Sequence, residues 1–159
     1  MHQVGNVCVI FYRLEALNRS KAAQAFSAEG GLHYAGRWNS RGRRIVYTSS
    51  SVALACLETL VHMQTLRHSE ERLLFTIEVP DRLIEELHPL PKEWDAEPTV
   101  AASREVGDRW VTEQRSVVLL VPSVVVPVEQ NALINPRHPR FRLDWVQTAK
   151  RFRYDPRLK

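Results

Sequence analysis

A stretch rich in β-branched residues occupies positions 117–128. Residues of this kind favour the extended backbone of strands. Two prolines, Pro122 and Pro127, interrupt the stretch, and proline lacks the N–H that a central strand donates to its neighbour. One continuous central strand is therefore excluded, and we predict a strand that is broken around Ser123.

Shorter patterns elsewhere predict strands and helices in mixed order. Residues 7–14 are predicted to form a strand buried on both faces, with Tyr12 and Arg13 as the first polar groups at its end. Residues 30–42 hold four of the six glycines, which indicates an irregular loop. The other predictions are a short helix after the first strand, strands over 45–48 and 73–79, a helix over about 52–66 with an N-cap among serines 49–51, a short helix capped by Asp81, a loop over 88–98 and a helix over 99–115. This mixture, without a repeat or a linker, predicts one α+β domain over residues 1–159.

The composition is that of an ordinary globular domain, with 44% hydrophobic and 25% charged residues among 159. A chain of this size buries enough surface to form a core without disulfides or a structural metal. The two cysteines, Cys8 and Cys56, lie in apolar runs and are expected to be buried free thiols, which favours the cytoplasm. The purest apolar run, 117–121, is too short to cross a bilayer, and no basic segment followed by a long apolar stretch begins the chain, so neither membrane insertion nor secretion is expected.

The net charge of +4 favours an acidic partner, whether a nucleic acid, an anionic small molecule or an acidic protein. Much of the excess lies towards the C-terminus, at Arg137 and Arg140 and in a basic tail over about 142–159. The simpler interpretation of this tail is a solvated, partly flexible surface. It lacks the interleaved aromatic pattern of a base-stacking surface, so direct binding of nucleic acid is not expected.

Glu58 is the most informative polar residue, because Leu54 and Val61 place it on an apolar face of the predicted helix. A buried carboxylate needs a partner, and two interpretations are open. In the structural interpretation, Glu58 forms a salt bridge with an internal arginine, for which Arg13 is the candidate. In the functional interpretation, Glu58 lies in a cleft, where a carboxylate stabilises the positive charge of glycosyl transfer or holds a hydroxyl, and His62 orients it. Glu58 and His62 lack further ligands at suitable spacing, so no metal site is expected.

Several other polar groups have both a structural and a functional interpretation. Arg13 either neutralises Glu58 or binds a pyrophosphate with its guanidinium group. Tyr12 and Tyr47 are either core residues or stacking groups, and the hydroxyl of Ser123 satisfies either a free backbone group or a ligand. The sequence has no GxSxG motif around Ser123, and its glycines form neither GxGxxG nor a P-loop, which argues against a serine hydrolase, a Rossmann dinucleotide site and a nucleotide triphosphatase. The spacing alone therefore predicts a cleft for an anionic ligand.

Four motifs together are similar to those of RES-domain proteins. They are YRL at 12–14, AGRWNSRGRRIVYTSSSVALACLETLVH at 35–62, VPS at 121–123 and NALINPRHPRF at 131–141. The resemblance covers nearly the whole chain. The Arg, Glu and Ser that give the family its name match Arg13, Glu58 and Ser123, while Ala35 stands where members commonly have a second glycine.

The resemblance implies the toxin of a type II toxin–antitoxin pair, inhibited by an Xre-type helix-turn-helix antitoxin that makes any contact with DNA. It also implies a fold similar to that of diphtheria-toxin-like ADP-ribosyltransferases. Family members act on NAD as a consumed substrate and not as a recycled cofactor, so no cofactor is expected. They degrade NAD by hydrolysis or phosphorolysis, or transfer ADP-ribose to a protein, and the motifs leave the acceptor open. A non-catalytic binding module is the remaining alternative.

The resemblance also implies roles for individual residues. Glu58 would hold a ribose hydroxyl and stabilise the positive charge that develops as nicotinamide leaves. Arg13 would bind the pyrophosphate, and Ser123 would position the ligand or Glu58. Five further residues are implied to bind the substrate. Tyr12 and Tyr47 would contact the nicotinamide or its ribose, and Arg37 and Asn39 would help to hold the dinucleotide. Asn135 would act, like Ser123, as a positioning residue.

Overall fold

The computed structural model describes residues 7–63 and 71–158. These residues contain seven strands and four α-helices. The strands are β1 (Cys8–Glu15), β2 (Val46–Ser49), β3 (Glu71–Pro80), β4 (Ile84–Glu86), β5 (Val118–Pro122), β6 (Gln130–Ile134) and β7 (Lys150–Arg153). The helices are α1 (Ala22–Ala25), α2 (Gly30–His33), α3 (Val52–Val61) and α4 (Ala101–Glu113), with 3-10 turns at Asp81–Leu83 and Leu143–Trp145. None of the described helices has the length and apolar character that a membrane span requires. The combination of one sheet with unequal helices confirms the predicted α+β class.

The strands form one sheet in the order β4-β5-β6-β2-β1-β3-β7. Neighbouring strands are antiparallel except β4 and β5, which are parallel. β1 pairs with β3 along all eight of its residues, whereas β1 and β2 meet at one register pair, Tyr12 opposite Ser49. The sheet therefore has two parts that are joined at this pair. One part is β1, β3 and β7, and the other is β2, β6, β5 and β4.

Apolar side chains pack against both faces of the sheet, which explains why β1 and β5 are nearly continuous apolar runs. On one face, Phe11 and Phe75 belong to a cluster that Phe26 and its neighbours cover. On the other face, α4 inserts the fully buried Trp110 against Leu133 of β6, and α3 packs against β1. Both α3 and the candidate site therefore lie on the Leu133 face.

The predicted break in the β-branched run is confirmed. β5 ends at Pro122, and the chain turns before it enters β6. The sequence did not predict β6, because its five residues begin with two polar side chains and show no clear alternation. The helix predicted over about 52–66 ends at Val61, and its predicted end at Leu66 lies outside the described residues.

The first strand is not buried along its whole length. Cys8 and Ile10 are exposed, because α3 packs against β1 only beside Tyr12 and Leu14. The prediction of a strand buried on both faces, with a buried thiol at Cys8, is therefore wrong in this half of β1.

Two further local predictions differ from the structure. Asp81 is the first residue of its 3-10 turn, and Pro80 is the N-cap, so the prediction of a cap by Asp81 is wrong. Proline before Asp81 supplies the extended backbone that a cap position needs, which leaves Asp81 inside the turn. Residues 30–42 contain the short helix α2 before the irregular loop begins, so the loop prediction is wrong for Gly30–His33. The Arg43 carbonyl occupies the space that a Cβ on Gly31 would need, so glycine is required in this helix.

The basic tail contributes a strand to the sheet. β7 pairs antiparallel with β3 and forms an edge of the sheet, so this part of the predicted flexible tail is ordered. Phe152 and Tyr154 supply its apolar anchors, and their rings meet edge to face at 5.2 Å. The cations of β7 remain exposed to solvent. The prediction of a solvated basic surface is therefore confirmed for the side chains of β7, whereas the prediction of a flexible backbone is wrong for this strand.

Candidate active site

Helix α3 carries Glu58 to the ends of β5 and β6. Ser51 caps the helix: its Oγ accepts a hydrogen bond from the backbone N–H of Leu54 at 3.0 Å, which confirms the predicted serine cap. The same hydroxyl donates to the Glu129 carboxylate at 3.1 Å and ties the segment before β6 to the start of α3. Leu54 is fully buried, and Glu58, one turn later, is half-buried.

One oxygen of the Glu58 carboxylate has two hydrogen-bond donors. The Ser123 hydroxyl donates to Oε1 at 2.8 Å, and the side-chain amide of Asn131 donates to the same oxygen at 2.5 Å. The other oxygen, Oε2, has no partner among residues 7–63 and 71–158, and it is not buried. The protein therefore orients the carboxylate through Oε1 and leaves Oε2 accessible to a ligand.

The break in the β-branched run positions Ser123. The residue directly follows Pro122 at the end of β5 and is fully buried. Its backbone N–H donates to the Glu129 carbonyl at 3.0 Å, and its hydroxyl oxygen accepts from the backbone N–H of Val126 at 2.9 Å. Because the Ser123 oxygen accepts from Val126, its proton is directed to Glu58.

The carboxylate partner of Arg13 is Glu15 and not Glu58. Arg13 Nη2 donates to Glu15, and Nη1 donates to the Tyr47 carbonyl at 2.8 Å. Residues two apart on a strand share a face, so Arg13 and Glu15 lie on the face of β1 opposite to Tyr12, which packs with α3. The structural interpretation of Glu58, in which it forms a salt bridge with Arg13, is therefore wrong. Arg13 instead links β1 to β2 beside their single register pair.

The C-terminal end of α3 does not orient Glu58. His62 is the C-cap residue of α3 and is exposed, and within the described chain the donors to Glu58 are Ser123 and Asn131. Val61, expected on the apolar face, is 62% exposed. The predicted orientation by His62 is wrong, because the helix ends at Val61 and the sheet supplies both donors.

Tyr47 and Asn39 hold the glycine-rich loop in place. The Tyr47 hydroxyl donates to Asn39 Oδ1 at 2.7 Å and accepts from the backbone N–H of Trp38 at 3.1 Å. Burial raises the pKa of Tyr47 far above its usual value, so its hydroxyl stays neutral and able to donate. A Cβ on Gly36 would lie 2.6 Å from both the Tyr47 oxygen and Asn39 Oδ1, so glycine is required beside this pair.

Arg37 connects the same loop to residues 94–97. Its Nη1 donates to the carbonyls of Trp94 and Ala96, each at 2.9 Å, and Nη2 donates to the Glu97 carboxylate at 3.1 Å. The next residue, Trp38, stacks on Trp94 with ring centroids 6.2 Å apart. Arg37 therefore stabilises a contact between two loops.

The predicted substrate-binding residues fall into two groups. Tyr12 is half-buried and packs against α3, the helix that carries Glu58. The polar groups of Arg37, Asn39 and Tyr47 are bonded to the protein, as described above. These bonds make the three side chains positioning residues of the loop, and their contact with a substrate stays a prediction.

The structure brings Asn131, and not Asn135, to Glu58. Asn135 follows the other end of β6, about 13 Å along the strand. Its Oδ1 accepts from the backbone N–H of Arg137 at 3.0 Å and closes a turn. Neither Asn131 nor Ser49, whose hydroxyl donates to Asn131 Oδ1 at 2.8 Å, was predicted as a residue of the site. The position of Asn131 inside the quoted NALINPRHPRF motif was the available signal.

A cavity of about 370 Å³ lies away from Glu58, between the end of α4, the turn at Asp81–Leu83 and residues 138–140. Its lining includes Arg115, whose guanidinium is already paired with Glu85 and Glu113. The residues that line this cavity include none of those that contact Glu58, so the oriented carboxylate and not this cavity defines the candidate site.

The chain is similar to known toxins over most of its length. A model of the RES domain family matches residues 10–155. Over 153 residues, the chain is 43% identical to the Prs ADP-ribosylating toxin of Sphingobium sp. (strain YBL2), with 93% of this chain and 95% of that protein covered. It is 41% identical to Toxin Res of Yersinia enterocolitica, with 95% of this chain and 100% of that protein covered.

The fold is similar to that of a solved toxin. Against the crystal structure of the M. tuberculosis MbcT–MbcA toxin–antitoxin complex, the TM-score is 0.71 at 17% sequence identity, with 95% of this chain and 86% of the other covered. This likeness concerns the fold and is consistent with the ADP-ribosyltransferase-like architecture that the motifs implied. By the family match and the two relatives, the chain belongs to the RES domain family of toxins.

Proposed function

We propose that this chain is the toxin of a toxin–antitoxin pair and cleaves the bond between nicotinamide and ribose in NAD. The Glu58 carboxylate carries the proposal, because Ser123 and Asn131 hold its Oε1 while its Oε2 is accessible. Carboxylates that are oriented in this way, in a partly buried setting, are typical of sites where positive charge develops.

Cleavage of the bond between nicotinamide and ribose requires little from the protein beyond such a carboxylate. Nicotinamide is cationic in NAD and leaves as a neutral molecule with the bonding electron pair, so no general acid is needed. The positive charge moves to the ribose ring, where ionised Glu58 stabilises it. Water then adds to the anomeric carbon and loses a proton, which gives ADP-ribose, or phosphate adds and gives ADP-ribose phosphate.

The neighbouring residues have secondary roles in this proposal. Tyr12 contacts the nicotinamide or its ribose, since it lies on the face of β1 that packs with α3. Arg13 stays the proposed ligand of the pyrophosphate at the junction of β1 and β2, where a ligand has to replace one of its bonds to Glu15 and the Tyr47 carbonyl. Arg37, Asn39 and Tyr47 act through the loop that they hold.

A second candidate function is transfer of ADP-ribose to a protein. The observation in its favour is the relative from Sphingobium, which is named as a Prs ADP-ribosylating toxin and is 43% identical to this chain. The first half of the reaction is the same in both candidates, since nicotinamide leaves in each. The two differ in the group that attacks the ribose.

An Xre-type antitoxin is the proposed partner, and we place its contact at the surface around Glu58. The solved relative in fold is a toxin bound to an antitoxin. On α3, Ala53, Leu57 and Val61 are exposed, and their spacing of four residues puts them in one apolar row beside Glu58. A partner that covers this row lies next to Glu58 and is placed to block the approach of a substrate to it.

One experiment tests the activity and its acceptor together. The purified chain is incubated with NAD labelled in its adenine, with and without phosphate and cell extract. Free ADP-ribose or its phosphate supports degradation, whereas label retained on protein supports transfer. In cells, expression of the chain alone should arrest growth and deplete NAD, and the cognate antitoxin should prevent both. Normal growth with an intact NAD pool at high expression of folded protein contradicts the proposal.

A further inference from the structure

A chain of side-chain hydrogen bonds connects Glu58 to the middle of the sheet. The Ser49 hydroxyl donates to Asn131 Oδ1 at 2.8 Å, and Asn131 Nδ2 donates to Glu58 Oε1 at 2.5 Å. Ser49 and Asn131 are opposite residues on β2 and β6, and Ser49 is also the residue of β2 that pairs with β1. The chain of bonds therefore begins where the two parts of the sheet join and ends at the candidate carboxylate.

Only one end of an asparagine amide suits a carboxylate. The NH₂ group donates to it, whereas the carbonyl oxygen would repel it, and a half-turn of the amide exchanges the two ends. Ionised Glu58 only accepts hydrogen bonds, so the Nδ2 end of the amide faces it, and Asn131 Oδ1 then accepts from the Ser49 hydroxyl. We propose, on the basis of the function above, that Asn131 is a positioning residue for Glu58 and that Ser49 holds the Asn131 side chain in place against it.

The same bonds also have a purely structural interpretation, in which they fasten α3 to the sheet. The chain offers a matched control for this alternative at the adjacent residue. Thr48 Oγ1 donates to the Ala132 carbonyl at 2.8 Å, across the same two strands but on the opposite face of the sheet. Thr48 is 3% exposed and Ser49 4%, so Thr48→Val removes an equally buried cross-strand bond without reaching Glu58.

The first test compares turnover in Ser49→Ala and Thr48→Val. Ser49→Ala should lower kcat about 10-fold with KM nearly unchanged, because a positioning residue acts on the transition state more than on substrate binding. Ser49→Thr keeps the hydroxyl and should restore most of the loss. Thr48→Val should keep kcat within about 2-fold of the wild type, although its unfolding free energy falls like that of Ser49→Ala. Equal kcat values in Ser49→Ala and Thr48→Val overturn the proposal.

The second test uses the pH profile of Asn131→Asp. The substitution keeps the shape of the side chain and places a second carboxylate against Glu58, which raises the pKa of the pair. Because the ionised form of Glu58 is the active one, the rising limb of kcat should move to higher pH by about 1 unit or more. The other ionisable side chains near Glu58 on the surrounding elements, among them Cys56, Glu129, His62 and Tyr12, are the same in both proteins. A merely structural role predicts lower activity with an unmoved limb, and that result contradicts the proposal.

A carbon NMR titration of Glu58 separates this inference from the proposed function. The pKa of the Glu58 carboxyl should be higher in Asn131→Asp than in the wild type and unchanged in Thr48→Val. If the wild type cleaves no NAD but this shift is seen, the proposed function fails while the positioning role stands. If Glu58 titrates identically in Asn131→Asp and the wild type, the positioning role fails whatever the substrate.

Discussion

The Glu58 site and the glycine-rich loop contain similar polar groups but complete their hydrogen bonds differently. In the loop, the Tyr47 hydroxyl both donates to Asn39 and accepts from Trp38, and the amide of Asn39 donates to two carbonyls. At the site, both donors to Glu58 converge on Oε1, and Oε2 has no partner in the described chain.

This difference separates the groups that hold the fold from the group that faces a ligand. A buried network whose donors and acceptors are all paired stabilises one conformation of the chain. A carboxylate that is oriented through one oxygen can form new interactions without rearrangement of the protein, as transition-state stabilisation requires. Substitutions in the loop should therefore change stability, and substitutions at Glu58 should change turnover.

The largest effect is expected for Glu58→Gln. Glutamine keeps the shape of the side chain and removes the charge that favours the transition state, so turnover should fall about 100-fold or more while NAD binding changes little. The melting temperature should stay close to that of the wild type. NAD turnover, calorimetric binding and thermal unfolding measure the three quantities.

The structural alternative for Glu58 makes the opposite prediction. If the carboxylate served as an internal counter-charge, its neutralisation would lower the unfolding free energy by roughly 3–5 kcal/mol. A stability loss of that size, or NAD cleavage that persists in Glu58→Gln, would mean that Glu58 holds the fold as the residues of the glycine-rich loop do.

A smaller effect, on stability, is expected for Tyr47→Phe. The substitution leaves Asn39 Oδ1 and the Trp38 N–H without their partner, which should cost about 1–3 kcal/mol of unfolding free energy. Turnover per folded molecule should stay within a few-fold of the wild type. Urea unfolding and NAD turnover test both statements, with Tyr34→Phe as the control because Tyr34 is 76% exposed in the same loop. Turnover that falls far more than stability would make Tyr47 a direct ligand.

The smallest effect is expected for Glu97→Gln. The Glu97 side chain is 81% exposed, and Arg37 keeps its bonds to the Trp94 and Ala96 carbonyls when the ion pair is lost. The unfolding free energy should therefore change by about 0.5 kcal/mol or less. The Kd for NAD, measured by calorimetry, should be unchanged. A clear change in that Kd would show that Arg37 contacts the substrate rather than only the neighbouring loop.

The sequence predicted the parts of the site that family motifs and local pattern contain. Glu58 and Ser123 came from the RES motifs, and Pro122 predicted the break that positions Ser123. The partners of these residues depend on which strands are neighbours, and Ser49 and Asn131 are 82 positions apart. A single sequence does not show that β2 lies beside β6, so neither residue was found.

The ion pair of Arg13 illustrates a different gap. Both candidate partners, Glu15 and Glu58, were visible in the sequence. Glu15 lies two positions away, on the same face of β1, and reaches the guanidinium without help from tertiary structure. The alternation of side chains along β1 therefore favours Glu15 over Glu58 as the partner of Arg13.

The two edges of the sheet restrict how another protein can bind to this chain. β4 ends one edge and offers only three residues, which is too little backbone for a stable added strand. β7 ends the other edge, and a second copy aligned there would bring the exposed Lys150, Arg151 and Arg153 close to their own counterparts. Addition of a strand from a second copy is therefore disfavoured at both edges, and the protein resists uncontrolled edge-to-edge assembly with itself.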